Sequence, residues 1–305
     1  MPLLDSRAMR KTPMTPEEIA RRRDEIVAHH GPWRVHNLQL ARNVSTMGEG
    51  VPEQETRVRR AVQTVSDLSA SRVKGLRILD LGCGEGGFAL EFGRQGAEVV
   101  AIEGRFALAE KAEFAREALG LRHVSIVRGD VRRLSAEEHG FFDVVLALGI
   151  LDRLDAPAVF DVAKRVGSVC TGFALIEARL AARPRATHVS DGIAFRGAPQ
   201  REHAATASRA QRLASADRSL DNERSFLLTR ASMLSLLARS GFSSIAEALD
   251  PLASDDSPWF AAFKGRRVAL LSAPQVNAVF PPGWGEAAPP ARKSGMVRLL
   301  GRVRR

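Results

Sequence analysis

Apolar positions along this chain follow two rhythms. From Leu76 onward, short runs of uninterrupted apolar residues alternate with stretches in which apolar residues recur every three or four positions. The runs predict strands at 76–81, 98–102, 123–127, 142–148 and 168–177. The recurring pattern predicts helices at about 87–95, 106–119 and 156–166. Val144-Val145-Leu146-Ala147-Leu148 is apolar without a break, as expected of a strand covered on both faces. Strands alternating with helices imply an α/β fold: a doubly wound, mostly parallel sheet with right-handed crossovers.

Before this region the pattern is helical. Thr15-Pro16-Glu17-Glu18 supplies an N-cap, a proline for the first turn and the acid of a capping box, so a helix should run to about 29 and stop at Gly31-Pro32. A second helix is predicted over 52–70, with Val58, Ala61, Val62, Val65 and Leu68 on one face. Residues 33–46 between them are too apolar for a plain linker. After the fifth strand, residues 181–222 are rich in Arg, Ala, Ser and Gly with little periodicity, which predicts a lid, a binding loop or a disordered insertion. A helix over 230–239, capped by Thr229 and stopped by Gly241, restores the pattern. Two strands at 242–249 and 267–272 are expected to pair antiparallel at the sheet edge, for seven strands in all. The chain divides on this reading into an N-terminal helical extension (1–71), the α/β domain (72–275) and a poorly ordered basic tail (276–305).

The densest chemistry lies at Ile78-Leu79-Asp80-Leu81-Gly82-Cys83-Gly84-Glu85-Gly86-Gly87, a strand ending in a carboxylate, a glycine turn and a helix start. Gly82, Gly84 and Gly87 also satisfy the G-x-G-x-x-G spacing of NAD proteins. The acids separate the two cofactors. A diphosphate seated at the helix N-terminus would be repelled by Asp80 and Glu85, at about 4 kcal/mol for one pair roughly 4 Å apart at an effective dielectric near 20. S-adenosylmethionine (SAM), with a cationic amino acid end and no phosphate, would be attracted. Glu103, at the end of the second strand, is placed to accept both ribose hydroxyls.

The run Leu79-Asp80-Leu81-Gly82-Cys83-Gly84-Glu85-Gly86 resembles the first motif of the class I SAM-dependent methyltransferases, whose fold is Rossmann-like. The resemblance implies a cofactor set of Asp80, Gly82, Cys83, Gly84, Glu103, Gly104, Asp130, Val131 and Leu148, with Asp130 at the adenine amino group, Val131 beside the ring and Leu148 facing the methionine end. Trp33-Arg34-Val35-His36-Asn37-Leu38, Val44-Ser45-Thr46, Ser225-Phe226-Leu227-Leu228-Thr229 and Gly241-Phe242 resemble a bacterial subgroup broadly similar to the tRNA wobble-uridine methyltransferases. That likeness covers about residues 30–275. It implies no particular acceptor, and Trp33, His36, Arg153 and His188 are the candidate substrate residues. Relatives often carry a histidine shortly after the fourth strand, but here the run is Gly149-Ile150-Leu151-Asp152-Arg153-Leu154. No catalytic base is therefore assigned; His188, Asp191 and His203 in the insertion are further candidates. The chain also lacks the Asn/Asp-Pro-Pro-aromatic pattern of amino-methylating nucleic-acid enzymes and the Pro-Cys nucleophile of pyrimidine C5 methylation.

Composition narrows the rest. The net charge of +10 on 305 residues is uneven. Residues 291–305 hold six basic residues and no acid, and 179–218 carry eight arginines against three acids, which leaves the remainder near neutral. A uniformly basic nucleic-acid footprint is therefore not implied. Two cysteines, Cys83 and Cys170, suffice for neither a disulfide framework nor a zinc site, and no metal is expected. No apolar run reaches the roughly 18 residues of a membrane span, and residues 1–23 have no signal-peptide core, so a cytoplasmic protein is expected. The leading expectation is methyl transfer to a small-molecule acceptor, at a hydroxyl or carboxyl oxygen. RNA methylation through the basic segments, and SAM binding without turnover, are the alternatives. The oligomeric state is open.

Overall fold

A computed structural model of the protein describes residues 13–48, 52–69, 73–248 and 257–265. Two helices come first, α1 (Pro16–His30) and α2 (Pro52–Leu68), with a small hairpin between them, β1 (Gln39–Ala41) and β2 (Val44–Ser45). The alternating core follows: β3 (Arg77–Leu81), α3 (Gly87–Arg94), β4 (Glu98–Glu103), α4 (Phe106–Ala118), β5 (Val124–Arg128), α5 (Ala136–His139), β6 (Phe142–Leu148), α6 (Ala156–Val169) and β7 (Cys170–Glu177). The chain continues through β8 (Ala186–Ser190), β9 (Ile193–Arg201), α7 (Arg209–Ala214), β10 (Arg224–Leu228), α8 (Arg230–Arg239), β11 (Ser244–Ala248) and β12 (Trp259–Phe263).

Seven strands form the main sheet in the order β11-β12-β7-β6-β3-β4-β5. Five are parallel; β12 pairs antiparallel with β7 and with β11. Successive strand residues point to opposite faces, so Ile78 joins the layer beneath α1–α4 while Leu79 and Leu81 join the layer beneath α6 and α8. Both layers are apolar and buried, which explains the unbroken run in β6. The chain order reverses between β3 and β6, and in such sheets the ligand crevice opens at the carboxyl ends of those two strands.

Two expectations are corrected. The strand that completes the sheet is Trp259–Phe263, buried along its whole length; the segment 267–272 assigned to that role lies outside the described residues. The insertion is also not irregular. It holds a hairpin, β8 and β9, that pairs with β10 as a separate three-stranded sheet. The hairpin turns at Asp191-Gly192, both at positive φ (50° and 74°), the conformation that Asp-Gly favours in a two-residue turn. The basic tail, 276–305, lies outside the described residues. Among those described, no helix is long and apolar enough to cross a membrane and no group of acids, cysteines and histidines could hold a metal.

Candidate active site

The glycine turn is shaped by what crowds it. Gly82 has φ +69°, and a Cβ there would run into the Ile150 side chain. Gly87 opens α3 with the His36 ring in the space a Cβ would need. Asp80 lies under this turn, 2% exposed, and its Oδ2 has no hydrogen-bond partner. Burial raises its pKa to about 7; the Ala89 amide pulls it down and nearby Glu103 pushes it up. A buried carboxylate oxygen without a partner is costly. A cationic ammonium group would satisfy it, so this residue fits the amino acid end of SAM.

Glu103 closes the other side. Its Oε2 accepts from Gly84 N–H at 2.9 Å and its Oε1 from Arg105 N–H at 2.7 Å, which ties the glycine turn to the end of β4. Burial raises its pKa, opposed by those amides and by Arg105. Each oxygen keeps a further acceptor position for a ribose hydroxyl. Asp130 follows β5 and caps a short 3-10 turn (Val131–Arg133). Burial works against its ionisation, but hydrogen bonds from the Arg132 side chain and backbone hold its pKa below the usual carboxylate range. Val131 is half-buried there and packs against the layer under α6. Leu148 ends β6, buried. Cys83 and Cys170 are buried thiols, with Cys83 pushed well up by burial and the two carboxylates, so both act as small apolar fillers.

Glu85 departs from the expectation. It does not face the crevice with Asp80. Its carboxylate accepts from the backbone N–H of Arg34, Val35 and His36 at 3.0–3.3 Å and pairs with buried Lys111 at 3.2 Å. Lys111 also donates to Pro32 O at 2.7 Å. Three consecutive amides and an ammonium group outcompete the crevice for this carboxylate, and the result is a clamp between the glycine turn and the segment before β1. The charge selection for a cation therefore falls to Asp80.

The insertion forms a strap, residues 202–222, over the Glu103 end. Three strap carbonyls, Ser215 O (2.9 Å), Arg218 O (2.8 Å) and Ser219 O (2.7 Å), share the two protons of one Arg105 Nη. Leu220 lies 2.8 Å from where a Cβ on Gly104 would stand. Arg132, already on Asp130, also pairs with Asp221 at 2.9 Å. Arg212 and Arg218 hold Asp221 O and Glu202 O from within the strap. Arg105 and Arg212 carried no marker in the sequence, because their partners are backbone carbonyls.

The candidate substrate residues are not brought together. Trp33 is buried against Phe114 with Lys111 over its ring, a core position. Arg153 donates to Asp217 O in the strap. His188 stands exposed on edge strand β8, its ring edge-on to Phe226. His203 is buried, bonded to Ser219 O at 2.9 Å, and Asp191 pairs with Lys164. His36 alone lines a cleft, between α2, α3 and the β1–β2 hairpin. Sequence reasoning missed Arg57, which pairs with Glu177 at the end of β7 and sits over the Phe88 ring.

Residues 78–171 match a family described as "Methyltransferase domain". The N-terminal domain of EvdMO1, solved with SAH bound, is similar in structure, with TM-score 0.65 and 23% identity over 83% of this chain and 98% of that one. The same domain, solved in the presence of SAH and D-fucose, gives TM-score 0.65 and 24% identity at the same coverage. The 23S rRNA (uracil(1939)-C(5))-methyltransferase RlmD of Klebsiella pneumoniae (strain 342) is 35% identical over 133 residues, 40% of this chain and 29% of RlmD. The chain thus spans less than a third of the length of the curated relatives it matches. Residues 78–171 thus match the methyltransferase-domain family, and the seven-stranded sheet they help to build has the fold of the class I SAM-dependent methyltransferases.

Proposed function

We propose that the protein transfers the methyl group of SAM to an oxygen of a small-molecule acceptor. The observation that carries the cofactor is Asp80: a buried carboxylate oxygen without a partner, under a glycine turn at the switch point of the sheet. Asp80 holds the cationic amino group, Glu103 the ribose hydroxyls, and Gly82, Cys83, Gly84 and Gly104 the close backbone approach. Asp130 and Val131 border the adenine, and Leu148 the methionine end. SAH bound to the EvdMO1 domain accords with this assignment.

The bound sulfonium supplies an activated methyl group. The work left to this chain is to hold an acceptor oxygen in line with it and to keep water out, which can account for much of the catalysis. Asp191 pairs with Lys164, His203 is bonded to Ser219 O and His188 stands exposed on edge strand β8, so no side chain is assigned as a general base. An acidic hydroxyl, or one that loses its proton late, needs little help.

The closed strap favours a small acceptor. Three arginines of the basic segment 179–218 are spent inside the fold: Arg179 pairs with Asp152, and Arg212 and Arg218 hold carbonyls. RNA methylation is the second reading, supported by the partial likeness to RlmD, the resemblance to wobble-uridine enzymes and the remaining basic residues. A C5 reaction like that in RlmD's name is disfavoured by the lack of a Pro-Cys nucleophile. A thermal shift tests the cofactor: SAM and SAH should raise Tm and NAD should not, and the reverse overturns the assignment. Mass spectrometry of co-purifying small molecules then addresses the acceptor. Bulk tRNA separates the readings, since RNA binding should fall steeply with salt; no binding at low salt removes the second.

A further inference from the structure

The cleft lined by His36 has a volume of about 530 Å³, within the roughly 300–1,000 Å³ usual for small-molecule sites. Its buried end is the His36 ring against Gly87, the first residue of the helix after the glycine turn. The cleft therefore meets the cofactor turn from the side of α2. Three features of its wall specify an occupant.

The first is His36 itself. The residue is 7% exposed, its backbone is fixed by Glu85 through the N–H and by Thr46 Oγ1 through the carbonyl, and neither ring nitrogen has a partner. Burial, with Arg57 nearby, lowers its pKa to about 4, so the ring is neutral near pH 7 and offers one donor and one acceptor.

The second is a set of carboxamides. Asn37, Gln39, Gln54, Gln63 and Gln95 line the cleft. Each is anchored by one amide atom and leaves the other without a partner among the described residues. Gln39, Gln63 and Gln95 donate to Ala41 O, Asp67 and Glu91, leaving three carbonyl oxygens as acceptors. Asn37 and Gln54 accept from Met47 N–H and Arg57, leaving two amide groups as donors. Hydroxyls, which both donate and accept, match such a mixed set; phosphates and carboxylates, which only accept, do not.

The third is charge. The ionised residues of the wall pair along their own helices, Arg59 with Glu55 at 3.8 Å and Arg94 with Glu91 at 3.9 Å, so the wall is electrically balanced. Val58 and Val62, one helical turn apart on α2, give it an apolar strip that suits the carbon face of a sugar ring.

We propose that this cleft binds a neutral polyhydroxylated molecule, such as a sugar, with one hydroxyl hydrogen-bonded to His36. As the acceptor site it rests on the methyltransferase reading above; as a binding site it stands on its own. The test is saturation-transfer NMR and calorimetry on the full chain, with and without SAH. Glucose, galactose, mannose and their methyl glycosides are the neutral probes; glucose 6-phosphate and glucuronate are the charged ones. At least one neutral probe should bind, more tightly than its charged analogue. Its affinity should fall at least tenfold in His36→Ala and at least threefold in Gln95→Ala, whose site at the outer end of α3 keeps folding out of question. Absence of binding by every neutral probe, preference for the charged ones, or equal binding to both variants overturns the proposal. SAM titrated into the same samples separates the failures. If SAM binds and sugars do not, only this inference falls; if SAM does not bind, the methyltransferase reading falls.

Discussion

At the Glu103 end of the cofactor crevice, three strap carbonyls converge on Arg105, Leu220 lies against Gly104, and Arg132 spans Asp130 and Asp221. At the Asp80 end, a carboxylate oxygen and both nitrogens of His36 have no partner. One end directs most of its polar groups to holding the strap, although Arg105 Nε stays buried without a partner; at the other, the unpaired atoms belong to Asp80 and His36, and each such buried polar atom costs about 1–3 kcal/mol. The two ends thus differ in what holds them: strap carbonyls gathered on Arg105 at one, the Glu85 clamp beside Asp80 at the other. Four experiments bear on that division.

The largest effect is expected at the clamp that fixes the Asp80 end. Glu85→Ala leaves Lys111 buried without its carboxylate, which should lower unfolding stability by roughly 3–5 kcal/mol in urea titrations. A loss below 1 kcal/mol would mean that the segment before β1 is held by packing alone.

Asp80→Asn should lower SAM affinity about 100-fold by calorimetry, in line with loss of a charge-assisted hydrogen bond of about 1.5–3 kcal/mol. The same change should stabilise the ligand-free protein at pH 8. Asp80 has a folded pKa of about 7, above its unfolded value, so its favourable contribution is present below the unfolded pKa and is lost as pH rises through 7. The strain removed is at most about 4 kcal/mol. An Asn variant that binds SAM normally, or is less stable at pH 8, breaks the claim that this end is built for a cation.

The pH dependence sharpens it. Below pH 7 the free carboxyl holds a proton that the ammonium group must displace. SAM affinity should therefore fall about tenfold per pH unit between about 7 and 5, with proton release on binding. His36, with a pKa of about 4, stays neutral across that window.

The smallest effect belongs to the closed end. Arg105→Ala removes the shared donor of three carbonyls and should speed SAM dissociation about tenfold in stopped-flow traces, a change of about 1.4 kcal/mol. If release is unchanged, the strap closes over the surface without confining the adenosine end.

What could be read from the chain divides along physical lines. Asp80, Gly82 and Glu103 were legible because strand, turn and helix are contiguous in sequence, so periodicity places the site. Glu85 was legible as an acid but not as a clamp, because its partners lie about 50 residues upstream and 26 downstream. The β8–β9 hairpin was signalled by Asp191-Gly192 and hidden by the small, charged residues around it. Trp259–Phe263 is a five-residue apolar run, and the sequence alone does not rank it above the apolar run within 267–272. Trp33 looked like a ligand contact because aromatic residues serve both core and site; only Phe114 and Lys111, far along the chain, decide for the core.

The strap's attachments have an evolutionary corollary. Arg105, Arg153 and Arg212 hold main-chain oxygens of Ser215, Arg218, Ser219, Asp217 and Asp221. Every residue type presents the same carbonyl. Ser215 and Asp217 can therefore drift without loosening its seat, whereas Arg212, Leu220 and Asp221 hold the strap through their side chains, so a lineage could try new surfaces at the first pair while its cofactor chamber stays shut.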